Sequence, residues 1–138
     1  MGRIRFDINT MKFVSLFESL TGARVKDCIE LENGLLFVVE AGEMGKAIGR
    51  NGVNIKRVEE KLKKDVRVVE YSNDIAEFVK GLLFPTIPEE VKMEDNVITI
   101  VGKDERTRGI IIGRNRSRLS QIKDIVERYF AVRDIKVA

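Results

Sequence analysis

The sequence contains no histidine and a single cysteine among its 138 residues. Without histidine, the chain lacks the usual general base, the usual proton shuttle and an imidazole ligand for metals. Cys28 alone cannot form an internal disulfide bond or a cysteine cluster for zinc, and its apolar-alternating surroundings predict a core position. We therefore predict no catalytic residue, no metal site and no cofactor, and we expect that the protein is not an enzyme.

Long hydrophobic runs are also missing. No stretch approaches the roughly 20 apolar residues that a helix needs to cross a bilayer. The first residues, MGRIRFDINTM, form no apolar run of the signal-peptide type. Apolar residues nevertheless make up 43% of the chain, which is enough to form a buried core. We expect a monomeric protein of the cytoplasm with no membrane partner.

Acidic residues are scarce in two segments where basic residues collect. Residues 45–67 hold eight basic and three acidic side chains, and residues 106–123 hold six basic side chains and no acidic one. The net charge of the whole chain is only +3, so the remaining residues are net acidic. Such clustering indicates a polyanionic partner. A nuclease would need carboxylates beside the basic segments to bind metal ions, and the second segment offers none.

The sequence Ile-Gly-Arg-Asn occurs twice, at residues 48–51 and 112–115, once in each basic segment. The two copies are 64 residues apart, and apolar residues downstream recur at the same offset with helical spacing. These are Ile55, Val58 and Leu62 in the first copy and Leu119, Ile122 and Val126 in the second. The chain is therefore predicted to be an internal duplication, with one unit at residues 1–71 and the other at 72–138.

Each unit is predicted to have the element order helix–strand–strand–helix–helix–strand. Asn33-Gly34 lies between two β-rich runs and predicts a type I′ hairpin turn, in which both residues have positive φ. Pro88 predicts that the corresponding strand of the second unit lies at a sheet edge. The last long helix is predicted at 117–130. Phe37 and Phe84 are predicted to be core residues.

The four residues from Gly49 to Gly52 form a turn that is suited to binding phosphate. Glycine tolerates positive φ and lets another backbone approach closely. The helix that follows presents unbonded N–H groups and the positive end of its dipole. Arg50 adds a guanidinium group, and Asn51 can donate or accept a hydrogen bond. The segment matches neither the nucleotide-binding pattern GxxxxGK[ST] nor the dinucleotide-binding pattern GxGxxG. We therefore predict a site for a phosphodiester backbone, with an apolar groove for bases beside it.

Five residues, Ile48, Gly49, Gly52, Ile55 and Val58, fit the signature I-G-x-x-G-x-x-I-x-x-[IVL], and through them the chain resembles the KH domain family. The predicted element order is similar to the type II arrangement of that family. The resemblance implies an α/β (α+β) fold of two tandem type II KH domains, each with a small mixed three-stranded sheet covered by helices. It also implies that each domain clamps about four nucleotides of single-stranded RNA.

A chain that consists of little else than two such domains further resembles the NusA-like transcription factors of archaea. This resemblance implies RNA binding that is linked to transcription termination or antitermination, without catalysis, and with RNA polymerase as a candidate partner. The alternative is a KH protein of RNA processing or of the ribosome that is not linked to RNA polymerase. It would have the same binding chemistry in another pathway.

The residues predicted to contact RNA lie in the two loops, on the helices around them and in the apolar groove behind them. They are Lys46, Ile48, Gly49, Arg50, Asn51, Gly52, Ile55 and Lys56 in the first unit, and Ile112, Gly113, Arg114, Asn115, Arg116, Arg118 and Leu119 in the second.

Arg116 occupies the position at which the signature requires the second glycine. A side chain there is expected to prevent the usual turn or to narrow the approach of the RNA backbone. Either the second unit is kept for packing alone, or Arg114, Arg116 and Arg118 replace close backbone approach by direct contacts with phosphates. Because three arginines lie within five residues, we favour the second interpretation.

Overall fold

The computed structural model describes residues 8–138, with their side chains from residue 10 onward. The described chain divides into two compact units, one ending at Ser72 and the other beginning at Asn73. The order of elements is the same in both units and agrees with the predicted order. None of the helices among the described residues is long and apolar enough to span a membrane.

The first unit contains a mixed three-stranded sheet and helices. Its elements are α1 (Ile8–Thr21), β1 (Val25–Leu31), β2 (Gly34–Val39), α2 (Met44–Ile48), a 3-10 turn (Arg50–Gly52), α3 (Val53–Leu62) and β3 (Asp65–Glu70). In the sheet, β2 is central and pairs antiparallel with β1 and parallel with β3.

The second unit repeats this plan. Its elements are α4 (Ile75–Leu83), β4 (Glu90–Glu94), β5 (Val97–Val101), α5 (Glu105–Ile112), a 3-10 turn (Arg114–Arg116), α6 (Ser117–Glu127) and β6 (Asp134–Val137). In its sheet, β5 is central and pairs antiparallel with β4 and parallel with β6. The position of β4 confirms the edge strand that Pro88 predicts.

The core of the first unit lies between the helices and one face of its sheet. The rings of Phe17 on α1 and Phe37 on β2 stack with their centroids 4.2 Å apart. Cys28, Val58 and Val66 complete the same buried cluster. The predictions that Cys28 and Phe37 are core residues are therefore confirmed.

The second unit has a core of its own. The ring of Phe78 on α4 meets the edge of Tyr129, with 5.6 Å between the centroids. Ile98 and Ile100 on β5 and Val126 on α6 are fully buried. Helix α6 ends at Glu127, three residues before the predicted end.

Phe84 is not a core residue. It follows the last residue of α4, and 67% of its surface is exposed. The prediction is wrong because an apolar residue after a helix can face either the core or the solvent, and the local sequence does not distinguish the two.

The two hairpins use different turns. Neither Asn33 nor Gly34 has the positive φ that the type I′ prediction requires. Gly34 is instead the first residue of β2, where a Cβ atom would run into the backbone carbonyl oxygen of Asp65 on the parallel strand β3. The second hairpin instead has the two positive φ angles that characterise a type I′ turn, 51° at Asp95 and 63° at Asn96. The first prediction was wrong because this glycine serves strand packing and not the turn.

Candidate nucleic-acid interface

The first loop is a sharp turn between α2 and α3. Gly49 has φ 77° and ψ 172°, Asn51 has φ 55° and ψ 27°, and Gly52 has φ 75° and ψ 16°. Three positive φ angles in four residues reverse the chain and leave the side chains of Arg50 and Asn51 exposed. The turn therefore presents one cation and one amide at the N-terminus of α3, where the helix dipole is positive.

The second loop has the same backbone. Gly113 has φ 76° and ψ 172°, Asn115 has φ 55° and ψ 32°, and Arg116 has φ 62° and ψ 20°. Arg116 thus takes the left-handed conformation of Gly52 in spite of its Cβ atom. Of the two expected effects of a side chain at this position, the first, prevention of the usual turn, is absent, because the left-handed region is strained for such a residue but accessible. The second effect, a narrower approach for the RNA backbone, stays a prediction.

A side-chain hydrogen bond braces the first loop from within. The amide Nδ2 of Asn54 donates to the carbonyl oxygen of Lys46 at 2.7 Å and so links α3 to α2. This bond holds Asn54 against Gly49, where a Cβ atom would lie 2.7 Å from Asn54 Cγ. Gly49 is therefore required by the closeness of the brace as well as by its φ.

Arg118 braces the second loop at the equivalent position. Its Nη1 donates to the carbonyl oxygen of Ile110 at 3.3 Å and to Thr86 Oγ1 at 3.2 Å. Its Nη2 donates to the carbonyl oxygen of Leu83 at 2.7 Å. The guanidinium group of Arg118 therefore forms hydrogen bonds within the protein, whereas the sequence predicts that it contacts phosphate. The offset of 64 residues shows that Arg118 stands at the position of Asn54 in the repeat, but it does not indicate this role.

Exposed cations remain at the tips of both loops. Arg50, Arg114 and Arg116 are exposed, and among the described residues they form no ion pair. Lys56 is also exposed. Lys46 lies 3.6 Å from the carboxylate of Glu43. These positions leave the arginines available to an anion.

The predicted apolar positions differ in how much surface they offer. Ile48, Ile55 and Ile112 are half-buried, so part of each side chain can face a ligand. Leu119 is only 3% exposed and belongs to the core of the second unit.

Two acidic residues that sequence reasoning missed occupy the N-cap positions of the short helices α2 and α5. The carboxylate of Glu43 accepts a hydrogen bond from the Arg24 N–H at 2.8 Å. This bond, with the charges of Lys46 and Arg24, holds the pKa of Glu43 below its ordinary value. The carboxylate of Asp104 accepts from the Thr107 N–H at 2.7 Å. The pKa of Asp104 is lowered by its hydrogen bonds with the Thr107 side chain and backbone.

A metal ion has no obvious ligands in this region. Among residues 8–138, no group of three or more cysteine, aspartate or glutamate side chains could hold one.

Known proteins resemble this chain in sequence and in structure. The sequence profile described as KH domain matches residues 14–91, which include the first loop. A protein of Methanococcus vannielii named probable transcription termination protein NusA is 34% identical over 98% of this chain and 80% of its own. The protein of that name from Halococcus morrhuae is 32% identical over 99% of both chains. The crystal structure of APE1850 has a TM-score of 0.76 and 31% sequence identity, and covers 96% of this chain and 100% of that chain.

Proposed function

We propose that this chain, which belongs to the KH domain family, is a NusA-like transcription termination factor that binds single-stranded RNA. The relatives named NusA align along nearly the whole chain, which supports the assignment to transcription. The geometry of the first loop is the observation that supports an RNA-binding site there. It presents an exposed arginine and an exposed asparagine on a backbone fixed by the Asn54 brace.

The chemistry of this loop suits an RNA backbone. A guanidinium group can form two parallel hydrogen bonds with a phosphate. The absence of a side chain at Gly52 lets the phosphodiester approach the start of α3, whose dipole favours negative charge. The half-buried Ile48 and Ile55 offer apolar surface for bases.

The second unit is proposed as a second KH domain, so that residues 1–71 and 72–138 form a tandem of type II domains. Its loop repeats the backbone of the first with Arg116 in place of glycine. Arg114 and Arg116 bind phosphates there through their charges, since the Cβ of Arg116 occupies space that Gly52 leaves open.

Charge reversal in the first loop tests the proposed site. The double variant Arg50→Asp with Asn51→Asp is expected to bind single-stranded RNA at least tenfold more weakly, because two carboxylates repel phosphate. Fluorescence anisotropy of a labelled RNA from a random pool measures the affinity, and circular dichroism checks the fold. Lys12→Asp with Ser15→Asp, at two exposed positions of α1, makes the same charge change outside the loop. Equal affinity of a folded loop variant and this control would contradict the site.

The link to transcription has a separate test. A tagged copy of the chain is expected to co-purify with RNA polymerase, which we propose as its protein partner. Co-purification with ribosomes or RNA-processing nucleases, and not with polymerase, would overturn the assignment to transcription and leave the RNA site in place.

A further inference from the structure

A group of exposed apolar side chains lies in the second unit beside its loop. Five large apolar residues are exposed among the described residues, and three of them belong to this group. Phe84 is 67% exposed, Ile87 is 71% exposed and Ile110 is 46% exposed. Single exposed apolar residues are common, but a contiguous group of them marks an interaction site.

Hydrogen bonds of the Arg118 guanidinium group link the segments that carry these exposed residues. Its Nη1 lies within 3.3 Å of both Thr86 Oγ1 and the Ile110 carbonyl oxygen. Its Nη2 lies 2.7 Å from the carbonyl oxygen of Leu83, the residue before Phe84. The segment from Phe84 to Ile87 is therefore fixed against the end of α5 and the first turn of α6, next to the loop that carries Arg114 and Arg116.

The first unit lacks the part of this surface that lies on the short helix. At the offset of 64 residues, Ile110 corresponds to Lys46, whose side chain is charged and lies 3.6 Å from the Glu43 carboxylate. The second unit thus combines two arginines at the loop tip with an aromatic ring and aliphatic side chains beside them. The first unit has a basic residue at the matching place.

We propose that Phe84 is a base-stacking residue of the second unit, with one RNA base on its ring and the neighbouring phosphate on Arg114 and Arg116. Ile87 and Ile110 flank the stacked base. This inference rests on the proposed RNA-binding function and names a subsite for it.

Charge decides between RNA and a protein partner for this surface. Residues 106–123 hold six basic and no acidic side chains, and this charge favours an anionic partner. Aromatic rings beside arginines are the combination that holds single-stranded nucleic acid, since every base has a face to stack and every linkage has a charge.

The absence of tryptophan from the chain allows a direct test. Phe84→Trp introduces a single tryptophan at the proposed subsite, and stacking with a base is expected to quench its fluorescence as single-stranded RNA is added. Met11→Trp, at an exposed position of α1 in the first unit, is the matched control and is expected to keep its fluorescence. Both variants are titrated with the same random-sequence RNA while anisotropy reports binding.

Affinity provides a second measurement. Phe84→Ala is expected to weaken RNA binding about tenfold, the usual effect of removing one stacking platform, and Phe84→Tyr is expected to retain it. These variants are made with the first loop already altered by Arg50→Asp and Asn51→Asp, so that binding through the second unit is measured.

Three results would overturn the inference and are distinguishable. Wild-type RNA binding without a change in the fluorescence of the Phe84→Trp variant would exclude stacking and leave the proposed function intact. A fluorescence change that needs no RNA and depends on protein concentration would assign the surface to a second copy of the chain. No RNA binding by the unaltered chain would overturn the proposed function as well.

Discussion

At the residue scale, the two glycines of the first loop have different reasons to be glycine. Gly49 has φ 77° and ψ 172°, a region that is essentially restricted to glycine, and its missing Cβ leaves room for Asn54. Gly52 has a left-handed conformation that Arg116 also adopts, and a Cβ there would lie 3.8 Å from Ile55 Cγ2, an ordinary contact. Gly49 is therefore required by the fold, whereas Gly52 keeps the outer surface open.

Alanine substitutions separate these two roles. Gly49→Ala is expected to lower the free energy of unfolding by about 3 kcal/mol, because it combines a forbidden backbone region with a steric clash. Gly52→Ala is expected to cost about 1 kcal/mol, the strain of one left-handed residue. Denaturant unfolding of the two variants measures both values. Equal losses would mean that the tight contact with Asn54 does not determine the requirement for Gly49.

The role of a single residue depends on whether its partners are near in sequence. Arg118 looks like a phosphate ligand because it follows two other arginines, but its hydrogen-bond acceptor on Leu83 lies 35 residues away. No local sequence pattern indicates a hydrogen bond between residues so far apart in the chain. Arg114 and Arg116 are exposed and have no comparable acceptor among the described residues, and their contact with phosphates stays a prediction.

At the element scale, the order of helices and strands could be predicted because each unit repeats it and because apolar spacing is local. The edge strand β4 followed in the same way from Pro88. The turn at Asn33-Gly34 could not, since the reason for Gly34 is the closeness of Asp65 on a strand that pairs only in the folded chain. The end of α6 was also missed, because no proline or glycine lies there to mark it.

Glu43 connects the start of α2 to the residue before β1, and its effect on stability depends on pH. Its pKa lies below the ordinary value of 4.5, chiefly because the Arg24 N–H donates to the carboxylate, and Lys46 and Arg24 add their charges. A group with a lowered pKa stabilises the folded state above its ordinary pKa, and this contribution is lost as the pH falls through the lowered value.

The variant Glu43→Gln is therefore expected to be less stable than the unaltered chain at pH 7. The difference in the free energy of unfolding is expected to shrink as the pH falls below 4.5. Chemical denaturation at a series of pH values measures it, with Glu32→Gln in the exposed hairpin loop as the control. A difference that stays constant down to pH 3 would mean that the charge of Glu43 does not contribute.

At the scale of the whole molecule, the two loops have the same backbone conformation but different numbers of exposed charges. The first loop has one arginine and an open glycine, and the second has two exposed arginines. Under the proposed function each loop is a separate phosphate-binding site, and its contribution to RNA affinity can be measured separately. The salt dependence of RNA affinity then reports how many phosphates each loop neutralises, since each contributes about −0.7 to the logarithmic slope for a single strand.

Neutral substitutions of the arginines are expected to reduce this slope in proportion to the phosphates that they release. Arg50→Gln should reduce its magnitude by about 0.7, and Arg114→Gln with Arg116→Gln by about 1.4, in titrations between about 50 and 200 mM salt. Arg118→Gln should leave the slope unchanged, because that guanidinium group binds the carbonyl oxygens of Leu83 and Ile110. Circular dichroism verifies that each variant is folded. If the variant of Arg114 and Arg116 kept the full slope, the second loop would be excluded as a phosphate site, and its arginines would be a solvated surface of a unit that serves packing alone.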